Sequence, residues 1–127
     1  MATKGKLLLV DDEAPLLRLM QTYLGKLGYE VQGVAEAPDA MRQIQDASIE
    51  LAIVDMSVMP GPESLVEMAA SNPKARILIC SGLPFEVDSL PAKVRPRFAF
   101  LQKPFLPNML AGAVEELLKR EAPARAR

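Results

Sequence analysis

Leu7-Leu8-Leu9-Val10-Asp11-Asp12-Glu13 is an unbroken apolar run that ends abruptly in three acids. Apolar residues without polar alternation suit a strand covered on both faces, as in a parallel sheet flanked by helices. The pattern returns at Leu51–Val54, Ile77–Cys80 and Phe98–Leu101, and these runs stop at or within two residues of Asp55, Ser81 and Lys103. Parallel strands end on one edge, and in open α/β sheets ligands bind in the crevice beyond the carboxyl ends of the strands. Asp11, Asp12, Asp55, Ser81 and Lys103 are therefore expected to share one pocket.

Outward from these runs, strand-like and helix-like segments alternate five times. Leu16, Leu17, Met20, Leu24 and Leu27 recur at helical spacing behind Pro15, with Asp12 as the expected N-cap and Gly28 as the stop. Tyr29–Ala35 reads as a second strand, and its polar Glu30 and Gln32 place it at a sheet edge. Pro38, Met41, Ile44 and Ala47 mark a second helix. Pro62, Leu65, Val66 and Ala69 mark a third, ended by Asn72-Pro73. Between Leu83 and Arg97, Pro84, Pro91 and Pro96 restrict any fourth helix to Phe85–Leu90, short or irregular. A fifth helix is predicted from Pro107 to about Arg120. The expected fold class is α/β, a doubly wound five-stranded parallel sheet with helices on both faces. One domain is expected over 1–122, with a polar, frayed tail over 123–127 and no linker toward an output domain.

Composition removes whole classes of chemistry. The 127 residues, 50% hydrophobic and 24% charged, suit one compact globular domain and leave no room for a second. A net charge of −1 argues against a nucleic-acid surface, which carries a basic stripe. With no histidine, Ser-His-Asp and Cys-His catalysis, zincin motifs and histidine phosphocarriers are excluded. Cys80, the only cysteine, can form neither an internal disulfide nor a thiolate zinc site, and its apolar neighbours make it a core thiol. No apolar stretch reaches the roughly 20 residues needed to span a bilayer. The expectation is a soluble cytoplasmic protein with neither nucleic acid nor membrane as partner.

Clustered carboxylates raise an electrostatic problem. Two unit charges about 4 Å apart repel by about 4 kcal/mol at an effective dielectric near 20. Three such pairs strain the site on the scale of a whole domain's stability, about 5–15 kcal/mol. Lys103 offsets one unit of charge, and the rest calls for a proton or a cation. Carboxylate oxygens without thiolate or imidazole favour a hard ion such as Mg²⁺. A carboxylate beside Mg²⁺ and a lysine can act as nucleophile toward a phosphoryl group and form an aspartyl phosphate.

Leu8-Leu9-Val10-Asp11-Asp12-Glu13, Ile53-Val54-Asp55, Ile79-Cys80-Ser81-Gly82 and Lys103-Pro104-Phe105, in this order, resemble the response-regulator receiver domains of two-component signalling over nearly the whole chain. The resemblance implies a stand-alone, CheY-like receiver of flavodoxin-like fold with strand order 2-1-3-4-5. It implies Asp55 as phosphoacceptor, Asp12 as a direct Mg²⁺ ligand, Asp11 as a ligand through water, and the backbone carbonyl of Ser57 as a further ligand. Ser81 would hydrogen-bond the phosphoryl oxygen, Lys103 would pair with it, and Phe100 would be the aromatic switch. The Lys103-Pro104 bond is a candidate for the cis form. A histidine kinase or phosphotransfer protein would be the donor and an unnamed downstream protein the reader. The domain would be no enzyme beyond catalysing its own phosphorylation and dephosphorylation.

Each residue also has a plainer reading. Asp12 alone is as well explained as an N-cap, Ser81-Gly82 as a turn, Lys103 as a solvated lysine and Phe100 as core. Their joint placement favours the site. Two departures from the family pattern bear on its details, the loop that carries the Ser57 carbonyl and the partner face. Val58 displaces Met59-Pro60 by one place, and Glu63 replaces a usual loop glycine, with Gly61 nearby to provide the turn. The proline-rich Leu83–Arg97 segment stands where the family has its fourth helix. These departures keep open a degenerate receiver that acts as a constitutive interaction module. A Mg²⁺-dependent phosphatase with Asp55 as nucleophile is the third reading, weakened by the lack of a substrate-binding cap.

Overall fold

The computed structural model describes residues 3–120, so the tail expected over 123–127 lies outside the described residues. Five strands, β1 Lys6–Val10, β2 Glu30–Val34, β3 Ile49–Asp55, β4 Arg76–Ser81 and β5 Phe98–Gln102, form one parallel sheet in the order β2-β1-β3-β4-β5. Four α-helices accompany them: α1 Ala14–Lys26, α2 Ala37–Gln43, α3 Pro62–Ser71 and α4 Pro107–Lys119. The polar strand β2 lies at an edge, as its sequence requires.

Successive strand residues face opposite sides, so each apolar run feeds two cores. Leu8, Val10, Ala52, Val54, Ile77 and Ile79 pack with Leu65 and Met68 of α3 and Ala40 of α2. Leu7, Leu9, Leu51, Ile53, Leu78 and Cys80 pack with Met20 and Leu24 of α1 and Leu110, Val114 and Leu117 of α4. Continuous apolar strands are thus consumed by two buried faces.

The element ends depart from expectation at α1 and at α2, and the fourth helix is as short as the prolines require. Asp12 does not cap α1: Glu13 holds that position in extended backbone with no side-chain cap bond. With Glu13 at the cap, Pro15 is the second helical residue and offers no amide, which removes one of the two donors a capping oxygen uses. Helix α2 stops at Gln43 rather than near Ala47, and β3 begins early, at Ile49. No fourth α-helix forms between β4 and β5. The segment holds only 3₁₀ turns at Val87–Ser89 and Arg95–Arg97, consistent with prolines that remove donors and clash with the preceding turn. The predicted fifth helix is therefore α4. Gly28, at φ +110°, supplies the left-handed stop after α1 that a side chain would strain.

Candidate functional site

The sheet register brings the acids together. Val10 pairs with Val54 across β1 and β3, so Asp11, which follows Val10, lies beside Asp55, the last residue of β3. These two strands form the switch point, where the chain's path reverses direction in the sheet. Asp55 in turn registers with Cys80, and Ser81 with Gln102, which delivers Ser81 and Lys103 to the same edge. The reason is topological: four parallel strands terminate in one row.

Asp11, Asp12 and Asp55 each present a carboxylate oxygen within 4.8 Å of the others, the only such metal-compatible group among the described residues. Asp11 is 2% and Asp55 4% exposed, whereas Asp12 is open to solvent. The Lys103 ammonium donates to Asp55 Oδ2 at 3.0 Å and to Asp11 Oδ2 at 3.3 Å. Burial pushes the Lys103 pKa down, but the hydrogen bond and charge of Asp55, with the charge of Asp11, outweigh it and leave the group above its ordinary value. Lys103 is thus a firm cation. Among the described residues no cation pairs with Asp12, so three carboxylates share one ammonium.

Backbone amides hold the second oxygens. Glu13 N donates to Asp11 Oδ1 at 2.9 Å, and Ser57 N to Asp55 Oδ1 at 3.1 Å. Each carboxylate is held on both sides, which fixes its orientation. The displaced Met59-Pro60 does not loosen the β3–α3 loop: Val58 N bonds Asp55 O, Met59 N bonds Met56 O, and Met59 is buried. Gly61 is the N-cap of α3 in extended backbone, and its carbonyl accepts from the Ser64 amide and hydroxyl.

On the opposite wall, Lys103 N donates to Ser81 O at 2.8 Å and the Lys103–Pro104 peptide is cis. Ser81 Oγ accepts from Leu83 N at 3.0 Å. That contact was not anticipated, although Ser-Gly before a proline is a turn signal that marks such a side-chain bond. Phe100 is half-buried against the α3-side core, in register with Ile79. Cys80 is buried, and burial raises its pKa to about 12 against the opposing pull of Lys103, so it is an inert core thiol.

Two open hollows flank the acids. One, about 530 Å³, is lined by Glu13, Leu16, Gly82, Lys103, Pro104 and Phe105. The other, about 400 Å³, lies against Met56, Ser57, Ser81 and Leu83–Phe85. A carboxylate nearly out of solvent, a lysine against it and open space beside it form a site for an anionic group brought by a cation.

A parallel sheet with helices on both faces and these acids at its switch point defines the CheY-like class of receiver. The family model for the response regulator receiver domain matches residues 7–115, and the chain belongs to that family. It is 27% identical to chemotaxis protein CheY of Thermotoga maritima over 91% of this chain and 99% of that protein. It is 30% identical to transcriptional regulatory protein GlrR of Escherichia coli over 93% of this chain, which spans only 27% of GlrR. A CheY-like receiver structure from Methanospirillum hungatei superposes with a TM-score of 0.78 at 25% identity, covering 90% of this chain and 93% of that one. No helix among the described residues is long and apolar enough to cross a membrane.

Proposed function

We propose that this domain is a phosphorylation-controlled switch in which Asp55 accepts a phosphoryl group from a histidine kinase or phosphotransfer protein. A carboxylate oxygen of Asp55 forms the new P–O bond while the donor's bond to phosphorus breaks and the donor keeps the electron pair. Most of the protein's contribution to such a transfer is positioning and charge stabilisation. Ser57 N and Lys103 orient the nucleophile, and Lys103 is placed to follow the phosphoryl oxygens as charge moves onto them. Ser81 supplies a hydroxyl whose proton is unspent by its bond to Leu83.

The donor set fits Mg²⁺. Three carboxylates with oxygens within 4.8 Å and one ammonium leave an excess of negative charge made only of hard donors. Asp11, Asp12, Asp55 and the Ser57 carbonyl would hold the ion. When bound, Mg²⁺ neutralises phosphoryl oxygens and draws the donor to the acids. The single observation that carries the reading is the pairing of near-buried Asp55 with Lys103 beside two further acids.

A protein donor is favoured by surface continuity. The hollow beside Lys103 runs through Leu16 and Phe105 into an apolar groove with Leu19, Met20 and Tyr23, near exposed Leu106 and Met109. The degenerate reading loses ground because the loop carrying Val58 remains anchored on Asp55 and leaves the acids assembled. Incubation with acetyl phosphate and Mg²⁺ should add one phosphoryl mass to the wild type, and Asp55→Asn should stay unmodified. An unlabelled wild type, or an equally labelled variant, contradicts the assignment.

A further inference from the structure

The amino ends of β4 and β5 are as basic as the opposite edge of the sheet is acidic. Lys74-Ala75-Arg76, Lys93-Val94-Arg95-Pro96-Arg97 and Lys119-Arg120 hold seven of the chain's 15 lysines and arginines and no aspartate or glutamate. The rest of the chain then has eight cations against 16 acids. Folding gathers the three stretches at one corner. Ile77 registers with Phe98, so Arg76 and Arg97, the residues just before them, enter neighbouring strands side by side. The Arg76 guanidinium donates to Arg120 O at the end of α4, and Arg120 Nη1 donates to Pro96 O at 3.2 Å and to Phe98 O at 2.9 Å. Arg97 Nε donates to Ala75 O at 2.9 Å and its Nη2 to Ala69 O at 3.0 Å.

These bonds staple element ends, and stapling would be their whole role if the charge were spent as well. It is not. Carbonyls are neutral, and among the described residues no carboxylate pairs with Lys74, Arg76, Lys93, Arg95, Arg97 or Arg120. Lys119 reaches only Glu115, at 3.9 Å. Burial, and after it the charge of Arg76, holds the Arg97 guanidinium below its ordinary pKa, yet a guanidinium stays charged in a protein. The sequence beyond, Glu121 to Arg127, adds one acid and two arginines and so keeps the sign. Guanidiniums held by carbonyls are oriented in advance, which lowers the ordering entropy lost when an anion binds them.

We infer that this corner is a docking surface for an acidic segment of a partner protein, and that it binds that segment whatever the state of Asp55. Charge complementarity selects an anionic partner, and guanidiniums match carboxylates in bidentate pairs. A nucleic acid would call for aromatic side chains to stack bases or for an extended basic stripe; the three stretches contain no aromatic residue, and Phe98 beside them is buried. An anionic membrane would call for apolar anchors among the cations, but the exposed large apolar side chains, Leu19, Leu27, Leu83, Leu106 and Met109, all lie outside these stretches. Independence from Asp55 follows from distance. From Arg76 to Ser81, β4 covers about 16 Å at roughly 3.3 Å per residue, twice the screening length of about 8 Å at physiological salt.

An NMR titration of the whole chain tests this, with a peptide of about eight glutamates, long enough to cross the corner, at about 0.15 M salt. Amide signals over 74–76 and 93–97 should shift saturably, and adding beryllofluoride to Mg²⁺ should leave the affinity within about twofold of that in Mg²⁺ alone. Lys74→Glu with Lys93→Glu, both exposed and without a side-chain partner among the described residues, should weaken binding about tenfold. Arg18→Glu with Lys26→Glu, which changes the net charge equally but on α1, should weaken it less than about threefold. Absence of saturable shifts, or an equal loss in both double variants, overturns the docking surface. Tighter binding of a DNA duplex of about ten base pairs, or of vesicles of roughly one part phosphatidylglycerol to two of phosphatidylcholine, overturns the assignment to an acidic protein segment. An affinity that beryllofluoride alters overturns the independence from Asp55. None of these outcomes touches phosphoryl acceptance, which the acetyl phosphate experiment reads separately.

Discussion

At the scale of single residues, Lys103 keeps the site assembled. It is the one cation against Asp11 and Asp55, both nearly out of solvent. Removing one partner of a buried pair costs roughly 3–5 kcal/mol, and the open side at Asp12 reduces this to about 2 kcal/mol here. Lys103→Met should therefore lower the unfolding free energy by about that amount in metal-free buffer, and millimolar Mg²⁺ should recover part of it, since a divalent ion supplies the missing charge. Urea titrations with and without Mg²⁺ read both effects; an unchanged midpoint without Mg²⁺ would show the pair to be idle. Asp11, Asp55, Ser81 and Lys103 were legible in the sequence because apolar runs mark strand ends sharply. The place of Asp12 beside the other acids was legible, but its expected capping role was not met, since Glu13 rather than Asp12 holds the N-cap position. The Leu83 contact depends on a hydroxyl rotamer, which no periodicity encodes.

At the scale of elements, the sheet's other edge is tied by polar side chains rather than by helix lengths. The Asn72 amide donates to the carbonyls of Ile44, Asp46 and Ile49, and so joins the end of α3 to the α2–β3 connection. This is why α2 ends before Ala47: carbonyls just past it are taken by a neighbouring element. Asn72→Ala leaves them buried without a donor and should cost about 2 kcal/mol in a urea melt. Asp46 adds a pH-dependent tie. Its carboxyl lies below the ordinary 3.8 because the Lys6 ammonium hydrogen-bonds it, with Ser48 adding hydroxyl and amide bonds. A carboxyl with a lowered folded value stabilises above its unfolded value and loses that contribution as pH falls through the folded one. Wild type should thus exceed Asp46→Asn in urea midpoint by a constant margin above about pH 5, and the margin should close at more acid pH. A margin that widens on acidification would reverse the assigned sign. At the fourth helix, three prolines limited any helical stretch to a short or irregular one within Phe85–Leu90, and the turn that forms there is a 3₁₀ turn at Val87–Ser89.

At the scale of the molecule, order and direction of the strands were readable because continuous apolar runs permit only a parallel sheet with two covered faces, and both cores bear this out. The non-helical passage between β4 and β5 was only half readable, since prolines forbid a helix without saying what replaces it. What the whole fold accomplishes is to bring residues 11, 12, 55, 81 and 103 to one edge, where a reaction at one carboxylate can be sensed by the others. The most direct test is chemical trapping of the acyl phosphate. Borohydride reduces an aspartyl phosphate to homoserine and spares free carboxylates, so treatment after acetyl phosphate and Mg²⁺, followed by peptide sequencing, should find homoserine at position 55 alone and only when Mg²⁺ was present. Homoserine at Asp11 or Asp12, or none at any position, would contradict the account.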